Sequence, residues 1–305
     1  MKYHETLMPA FIRFAIEHKE SGDIDPVYPV LYHVQRMRAM TREQAIWHTL
    51  LYLTWYHLGS AELVICVNRD AVLFPSLRAL PTGVERRGFR GMGGAERAAE
   101  FLNWMIQNRK PFSQWLEEVT APGGMAGWEA LYRDVQTFPH CGSWAAFKWC
   151  DLSRNVLGCS ITSPDIGLGG GGKCAGPVPG LSLLTGRPWG ECAKSRALQE
   201  EFYNYCLRCE VPWEGWEEME TALCDFNSLV HGRYYVGHDI DKQMEDLSAC
   251  PRVYWEARRF AFPRSYLGEV MGWSGVRNKL KGTLRGVKVE HNVPPSACPM
   301  EGGIA

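Results

Sequence analysis

The sequence predicts an all-α protein, and three observations support that fold class. Apolar residues recur three and four positions apart along most of the chain, which is the period of a helix with one buried face. No stretch alternates apolar and polar residues for long enough to predict a sheet. Hydrophobic residues are 46% and charged residues 22% of the 305 residues, which is typical of a globular protein with a sizeable core.

In the first half of the chain, helices are predicted at 9–17, 27–40, 42–58, 95–108, 113–119 and 125–138. The third begins at Thr41-Arg-Glu-Gln44, which has the form of a capping box. It is apolar nearly all round and is therefore expected at the centre of the fold. The apolar run 61–73 either continues helically or turns, and residues 75–94 predict a loop rich in Arg and Gly.

In the second half, Pro139-His-Cys-Gly142 interrupts the chain, and Ser143 is the predicted N-cap of a helix over 144–157. Residues 167–180 contain seven Gly and two Pro and predict a tight loop. Within this loop, Pro-Val-Pro-Gly180-Leu is similar to a hairpin that grips a DNA backbone between two helices. Further helices are predicted at 193–208, 213–229 and 239–247.

These elements favour one mainly helical domain with long Gly-rich loops over residues 1–291. A division of that domain into two lobes, about 1–140 and 141–291, is left open. Residues 292–305 are expected to form a flexible tail.

The cysteines and the apolar runs predict a soluble cytoplasmic protein. The 11 Cys are an odd number without a short-spaced framework, and no secretion signal opens the chain, so free thiols in a reducing compartment are expected. The longest apolar window, 45–67, contains His48, His57 and Glu62, which favours a buried helix over a membrane span.

Charge is balanced overall but unevenly distributed. The net charge of −1 provides no global attraction for nucleic acid. Residues 252–288 are nevertheless strongly basic, residues 200–225 are acidic, and a smaller basic cluster lies at 86–97. Basic clusters neutralise phosphates, although a solvated surface explains either of these equally well. The candidate DNA- and phosphate-binding residues are Arg86, Arg87, Arg90, Lys173, Arg277, Lys279 and Lys281.

The helix that follows Gly142 is the strongest candidate for a functional site. Helical spacing places Trp144, Lys148, Asp151 and Asn155 on one face, and the apolar side chains at positions 145, 149, 152 and 156 on the opposite, core-facing side. An ammonium and a carboxylate one turn apart beside an indole could hold a base, a phosphate or an amine. An ordinary helical ion pair beside a core tryptophan is the alternative. The break at Gly142 favours function, because it directs an anion-binding helix N-terminus outward.

Two other patterns are weaker candidates. The Gly-rich segment resembles a phosphate-binding loop, but Gly-Lys-Cys174 lacks the Ser or Thr that would hold magnesium, and no apolar strand precedes it. Cys206-Leu-Arg-Cys209 is a single close pair, whereas structural zinc usually needs two pairs. We therefore expect no metal site there, even with Cys192 and Cys224 nearby.

Polar residues concentrate around two glycines at 224–241, and polar loops often carry function. Arg233 and the adjacent pair Tyr234 and Tyr235 could clamp a phosphate or stack on a base. His231 and His238 are each expected at the surface.

Three motifs together resemble a helical family of phage enzymes that hypermodify thymine. They are Gly142-Ser-Trp-Ala-Ala-Phe-Lys-Trp-Cys-Asp-Leu152 after an aromatic–Pro turn, the Gly-rich turn that follows, and Gly-Arg-Tyr-Tyr-Val-Gly237. The family comprises amino acid:DNA transferases, α-glutamyl/putrescinyl thymine pyrophosphorylases and the helical part of 5-hydroxymethyluracil DNA kinases. The resemblance spans about residues 9–281, and Lys148 argues against the kinase branch, where Gln or Glu is expected.

The resemblance implies a DNA-glycosylase-like helical architecture and a transfer reaction in the cytoplasm of an infected bacterium. An amino acid, glycine first, or another amine would displace pyrophosphate from pyrophosphorylated 5-hydroxymethyluracil in double-stranded DNA. Asp151 would accept the amine proton or stabilise the cationic ring, Lys148 and nearby Arg residues would receive pyrophosphate, and Trp144 would stack on the flipped base. Magnesium could accompany the pyrophosphate. His140 is a further catalytic candidate, and Ser143, Asn155, Asp225, Arg233 and Tyr235 are further substrate-binding candidates.

Two alternatives remain open from the sequence. A helical base-excision DNA glycosylase would also need a base pocket and a carboxylate, but it would leave an abasic site. A non-catalytic phage DNA-binding module would use the basic residues 252–288 and would leave the nucleosides unchanged.

Overall fold

The computed structural model describes residues 3–20, 28–67, 80–83, 89, 93–166, 176–231 and 252–261. These residues form thirteen helices and no β-strand, which confirms the all-α prediction. The helices are α1 (Leu7–Glu20), α2 (Tyr28–Met37), α3 (Arg42–Trp55), α4 (Leu58–Val67), α5 (Gly94–Asn108), α6 (Phe112–Thr120), α7 (Gly124–Val135), α8 (Ser143–Asn155), α9 (Pro177–Thr185), α10 (Trp189–Lys194), α11 (Arg196–Arg208), α12 (Trp216–Val230) and α13 (Arg252–Ala261).

The chain divides into two compact units. The first unit contains α1 and α9 to α12, and the second unit contains α2 to α8 and α13. The single-domain boundary at residue 291 stays a prediction. The tail 292–305 and the predicted helix 239–247 lie outside the described residues.

Helix α3 begins as its sequence predicts. The Thr41 hydroxyl accepts the backbone N–H of Gln44, and the Gln44 side chain accepts the backbone N–H of Thr41, so the capping box is confirmed. The helix ends at Trp55 rather than at Leu58, because Tyr56 adopts a left-handed conformation with φ 48° and ψ 37°. A left-handed residue cannot continue a right-handed helix. The apolar run after it does continue helically, as α4.

Helix α3 is also central, as its apolar surface predicts. It packs against α4, α5, α6 and α8. The Trp47 ring stacks on Phe112 with centroids 5.7 Å apart. The Glu43 carboxylate accepts the backbone N–H groups of Phe112 and Ser113, each at 2.8 Å. These N–H groups lie in the first turn of α6, where no backbone carbonyl of the same helix can accept them. The Glu43 side chain of α3 therefore supplies the acceptors for the start of the helix on which Trp47 stacks.

In the first unit, α1 packs on α12 through aromatic rings. Phe11 of α1 lies 5.6 Å from Phe202, 6.1 Å from Trp213 and 5.2 Å from Phe226, measured between ring centroids. Tilted and edge-to-face contacts at this range are the favoured geometry for aromatic pairs. They make Phe11 a buried centre of this unit.

The predicted hairpin at Pro-Val-Pro-Gly180-Leu is wrong, because these residues form the first turn of α9. Pro177 occupies the start of the helix, where its fixed φ and missing N–H are tolerated. Gly180 lets α9 approach α12 closely, since a Cβ at residue 180 would lie 2.3 Å from the carbonyl oxygen of Leu223. The predicted loop therefore ends before Pro177, and residues 167–175 lie outside the described residues.

No helix in the described ranges has both the length and the apolar character that crossing a membrane requires. The apolar window 45–67 is instead divided between α3 and α4 at Tyr56.

Candidate functional site

Helix α8 starts one residue earlier than its sequence predicts. Gly142 is the N-cap and Ser143 is the first helical residue, so the prediction of Ser143 as N-cap is wrong. Gly142 has an extended backbone, and no side-chain hydrogen bond caps the helix. Ser143 is exposed. Ser143 therefore lies one residue after the N-cap position, from which a side-chain hydroxyl could accept the first backbone N–H groups of the helix.

The structure brings Lys148, Asp151 and Asn155 together on α8. Lys148 Nζ lies 3.8 Å from Asp151 Oδ2, and Asn155 Nδ2 donates to Asp151 Oδ1 at 2.8 Å. The same amide donates to the Asp151 carbonyl oxygen at 3.0 Å. The spacing i, i+3 and i+7 thus places three polar side chains in contact, as helical periodicity predicts.

Burial distinguishes this ion pair from an ordinary surface pair. Asp151 is 0% exposed and Lys148 is 9% exposed. Charges removed from water interact more strongly, and a buried carboxyl group without partners is costly, so the contacts with Lys148 and Asn155 offset the burial of Asp151. The distance of 3.8 Å is an ion-pair contact longer than a hydrogen bond. Together these features place an ammonium and a carboxylate, both shielded from solvent, on one helix face.

The opposite face of α8 is core, as predicted. Ala145, Trp149, Leu152 and Val156 are all buried. Trp149 stacks on Trp115 of α6 with centroids 6.1 Å apart. The Lys148–Asp151 face is buried too, because every residue of α8 from Ala145 to Ser153 is buried.

Trp115 is itself held by a polar clamp. Its indole N–H donates to Asp134 Oδ2 at 2.7 Å, and Arg109 donates to Asp134 Oδ1 at 3.0 Å. The Arg109 guanidinium lies over the Trp104 ring at 4.9 Å from its centroid. Ionised partners strengthen such hydrogen bonds, so the clamp fixes the indole on which Trp149 of α8 rests.

Trp144 lies one turn before Lys148 and is half-buried. Its ring meets that of Tyr56 at 5.5 Å and 61°, an edge-to-face contact. The sequence analysis did not select Tyr56, because an aromatic residue at the end of an apolar helix gives no functional signal. Its positive φ is visible only in the structure.

His140 precedes α8 and is exposed. Its backbone has φ 62°, and its Nε2 lies 2.8 Å from Glu100 Oε2 of α5. A carboxylate partner of this kind orients the ring and fixes its tautomer. The assignment of His140 as a catalytic residue stays a prediction.

Asp225 belongs to the first unit, where it pairs with His18. Its Oδ2 accepts a hydrogen bond from His18 Nε2 at 3.0 Å, and His18 is buried. The neighbouring pair, Lys19 and Glu218, is 2.6 Å apart. These two contacts join α1 to α12, so the geometry gives Asp225 a structural partner, and its substrate-binding role stays a prediction.

The remaining candidates lie outside the described residues, and their roles stay predictions. They are Arg86, Arg87, Arg90, Lys173, Arg233, Tyr235, Arg277, Lys279 and Lys281.

A buried polar network in the second unit was not predicted from the sequence. Arg38 donates to both carboxylate oxygens of Glu62, at 2.7 and 2.6 Å. Tyr254 of α13 donates its hydroxyl to Glu62 at 2.8 Å, and its oxygen lies 3.0 Å from His48 Nε2. Because the tyrosine proton is directed to Glu62, His48 Nε2 must be the donor to the tyrosine oxygen. The sequence contained one indication of this network, because His48 and Glu62 are polar residues within an otherwise apolar run.

The network shifts the pKa values of its members. Burial lowers the pKa of His48 from 6.5 to about 4; the charge of Glu62 opposes this and that of Arg38 adds to it. Burial alone would raise the pKa of Glu62, but hydrogen bonds from Arg38 and Tyr254 outweigh it and lower that pKa. The network therefore holds a neutral imidazole beside an ionised carboxylate.

The cysteines considered as metal ligands are free thiols. These are Cys192, Cys206, Cys209 and Cys224. Burial raises the pKa of Cys192 and Cys206, which disfavours the thiolate that a metal ion requires. Within the described ranges, no three His, Cys, Asp or Glu side chains are grouped so that they could hold a metal ion.

One comparison with known proteins gives a match. Residues 83–235 match the family model described as ADDT: Amino acid:DNA transferase. The match covers half of the chain and contains α5 to α12, including the candidate face of α8 and Asp225. Helices α1 to α4 and α13 lie outside it. No curated protein matches the chain.

Proposed function

The chain belongs to the amino acid:DNA transferase family, and on that premise we propose that it joins glycine, or another amino acid, to a hypermodified thymine in DNA. The family implies DNA and an amino acid as the two substrates. The proposed acceptor is pyrophosphorylated 5-hydroxymethyluracil in double-stranded phage DNA, modified in the cytoplasm of the infected bacterium.

The proposed reaction is a displacement at the exocyclic methylene carbon of the base. The neutral amine forms the new C–N bond as the C–O bond to pyrophosphate breaks, and pyrophosphate leaves with the bonding electrons. The amine then loses one proton. The methylene carbon can bear positive character because the ring conjugates with it, so a site that stabilises departing negative charge accelerates the step.

The observation that carries this proposal is the buried pair of Lys148 and Asp151 inside the matched segment. Asp151 would accept the amine proton or stabilise the cationic ring, since a shielded carboxylate is a stronger base toward a nearby ammonium than a solvated one. The Lys148 ammonium would attract the pyrophosphate. Trp144 would stack on the base once it is flipped out of the duplex.

Magnesium is proposed only as a companion of the pyrophosphate, whose oxygens bind it well. Among the described residues, no three His, Cys, Asp or Glu side chains are grouped so that they could hold the ion themselves. No step of the mechanism is assigned to the metal.

The test is mass spectrometry of nucleosides from DNA that carries pyrophosphorylated 5-hydroxymethyluracil, after incubation with the protein and a pool of amino acids. The expected product is a thymine nucleoside whose methyl carbon carries an amino acid through its nitrogen, and its mass identifies the amino acid. Release of free base with alkali-labile abasic sites would support the glycosylase alternative instead. Unchanged nucleosides combined with salt-sensitive DNA binding would support a non-catalytic module.

A further inference from the structure

Three tyrosines from outside the family-matched segment form a chain of ring contacts that ends on Trp144. Tyr28 of α2 and Tyr52 of α3 lie 6.4 Å apart between centroids, and Tyr52 and Tyr56 lie 4.8 Å apart. The hydroxyl oxygens of Tyr28 and Tyr56 are 3.3 Å apart. All three tyrosines are buried, whereas Trp144 is half-buried. The indole therefore contacts a buried ring on one side and is itself only partly covered.

The backbone at Tyr56 explains why this ring has a fixed direction. A bulky residue rarely adopts the left-handed conformation found here, and it persists only where the surroundings require it. Gly83 is part of those surroundings. Its N–H donates to the Trp55 carbonyl at 3.0 Å, and a Cβ at residue 83 would lie 2.0 Å from the Tyr56 carbonyl oxygen.

We infer that Tyr56 is a positioning residue that sets the orientation in which Trp144 receives the target base. This inference rests on the proposed function, in which Trp144 stacks on that base. An edge-to-face contact restrains the tilt of an indole while leaving much of its surface uncovered, and stacking strength depends on ring orientation. Tyr56 therefore acts on base binding through Trp144 and takes no part in the displacement.

The test uses Tyr56→Asn and Tyr56→Phe. Asparagine tolerates the left-handed backbone but removes the ring, whereas phenylalanine keeps the ring and removes only the hydroxyl. We expect Tyr56→Asn to raise KM for the modified DNA by about three- to tenfold while kcat changes by less than about twofold. The separate variant Tyr56→Phe should have a KM within about twofold of the wild-type value, because it keeps the ring. Thermal melting checks that both variants fold, and Tyr203→Leu, which removes a ring in the first unit, is the control.

A double-mutant cycle decides whether Tyr56 acts through Trp144. Adding Tyr56→Asn to a Trp144→Leu background should leave KM unchanged, since the ring that Tyr56 orients is already gone. An equal rise of KM in both backgrounds, or no rise in either, would overturn the inference. So would a fall in kcat alone.

The inference can fail separately from the proposed function. Equilibrium binding to duplexes with and without the modified base measures the Tyr56 effect without any product. If Asp151→Asn abolishes product but Tyr56→Asn changes neither KM nor binding, only the Tyr56 inference is lost. Suppose that the wild-type protein forms no product. The inference about Tyr56 is then still supported if Tyr56→Asn weakens DNA binding in the wild-type background but not in the Trp144→Leu background. Unchanged binding in Tyr56→Asn refutes the inference.

Discussion

At the scale of single residues, the described part of the second unit contains two buried carboxyl groups with different partners. Asp151 is paired with Lys148 one turn away on the same helix. Glu62 is held by Arg38 and Tyr254, which lie 24 and 192 positions away in the sequence. A local pair can be predicted from helical spacing, whereas a distant one cannot. Both need partners because an isolated buried carboxylate is strongly destabilising.

Stability should fall as the pH is lowered, and His48 is a main cause. The unfolded chain binds a proton on this imidazole near 6.5, whereas the folded chain binds it only near 4, so the folded state loses relative stability across that window. No described residue accepts a hydrogen bond from Nδ1, so a second proton has no partner there. The full shift corresponds to about 3 kcal/mol.

Urea unfolding at several pH values between about 7.5 and 4 measures this dependence. In His48→Gln the same window should be flatter, because the titrating group is gone. The loss of Glu62 ionisation begins lower, below 4.5, and should persist in the variant. An equally steep fall in His48→Gln would show that other groups control it.

At the scale of elements, the close contact of α9 with α12 depends on Gly180. Replacing it by alanine places a Cβ 2.3 Å from a backbone carbonyl oxygen that cannot rotate away. We expect Gly180→Ala to lower the free energy of unfolding by about 1–3 kcal/mol, the usual cost of overpacking. Gly190→Ala is the matched control, since nothing lies within 4 Å of its Cβ and alanine favours a helix. Equal stability of the two variants would refute the close contact.

The helices show which structural features can be predicted from the sequence and which cannot. Local signals give the capping box of α3 and the side-chain spacing of α8, because both depend on residues four positions apart or fewer. Sequence could not show that Asp151 is buried, since its burial depends on helices far along the chain. The same holds for the early end of α3 at Tyr56, which Gly83 stabilises. The hairpin prediction failed because Pro and Gly are compatible with more than one local structure. Pro177 suits the start of a helix as well as a hairpin, and Gly180 suits a close contact between helices as well as a turn.

At the scale of the whole molecule, a transferase that acts on DNA has a net charge of only −1. DNA affinity must then come from local basic clusters rather than from a global field. If the basic segment 252–288 contacts phosphates, Lys279→Gln should reduce the slope of log affinity against log salt by about 1. Arg133→Gln, an exposed cation on α7, should leave the slope unchanged. Equal slopes for Lys279→Gln and wild type would remove Lys279 from the DNA contacts.

The proposed transfer reaction depends most on the buried carboxyl group of Asp151 on α8. The most direct test is the single-turnover rate at which Asp151→Asn forms the N-linked amino acid product, with Glu117→Gln as an exposed control and unfolding measured for both. We expect the rate of Asp151→Asn to fall by about a hundredfold or more at saturating DNA and amino acid, as expected on losing a general base. An unchanged rate in a folded Asp151→Asn protein would show that this carboxyl group takes no part in the transfer.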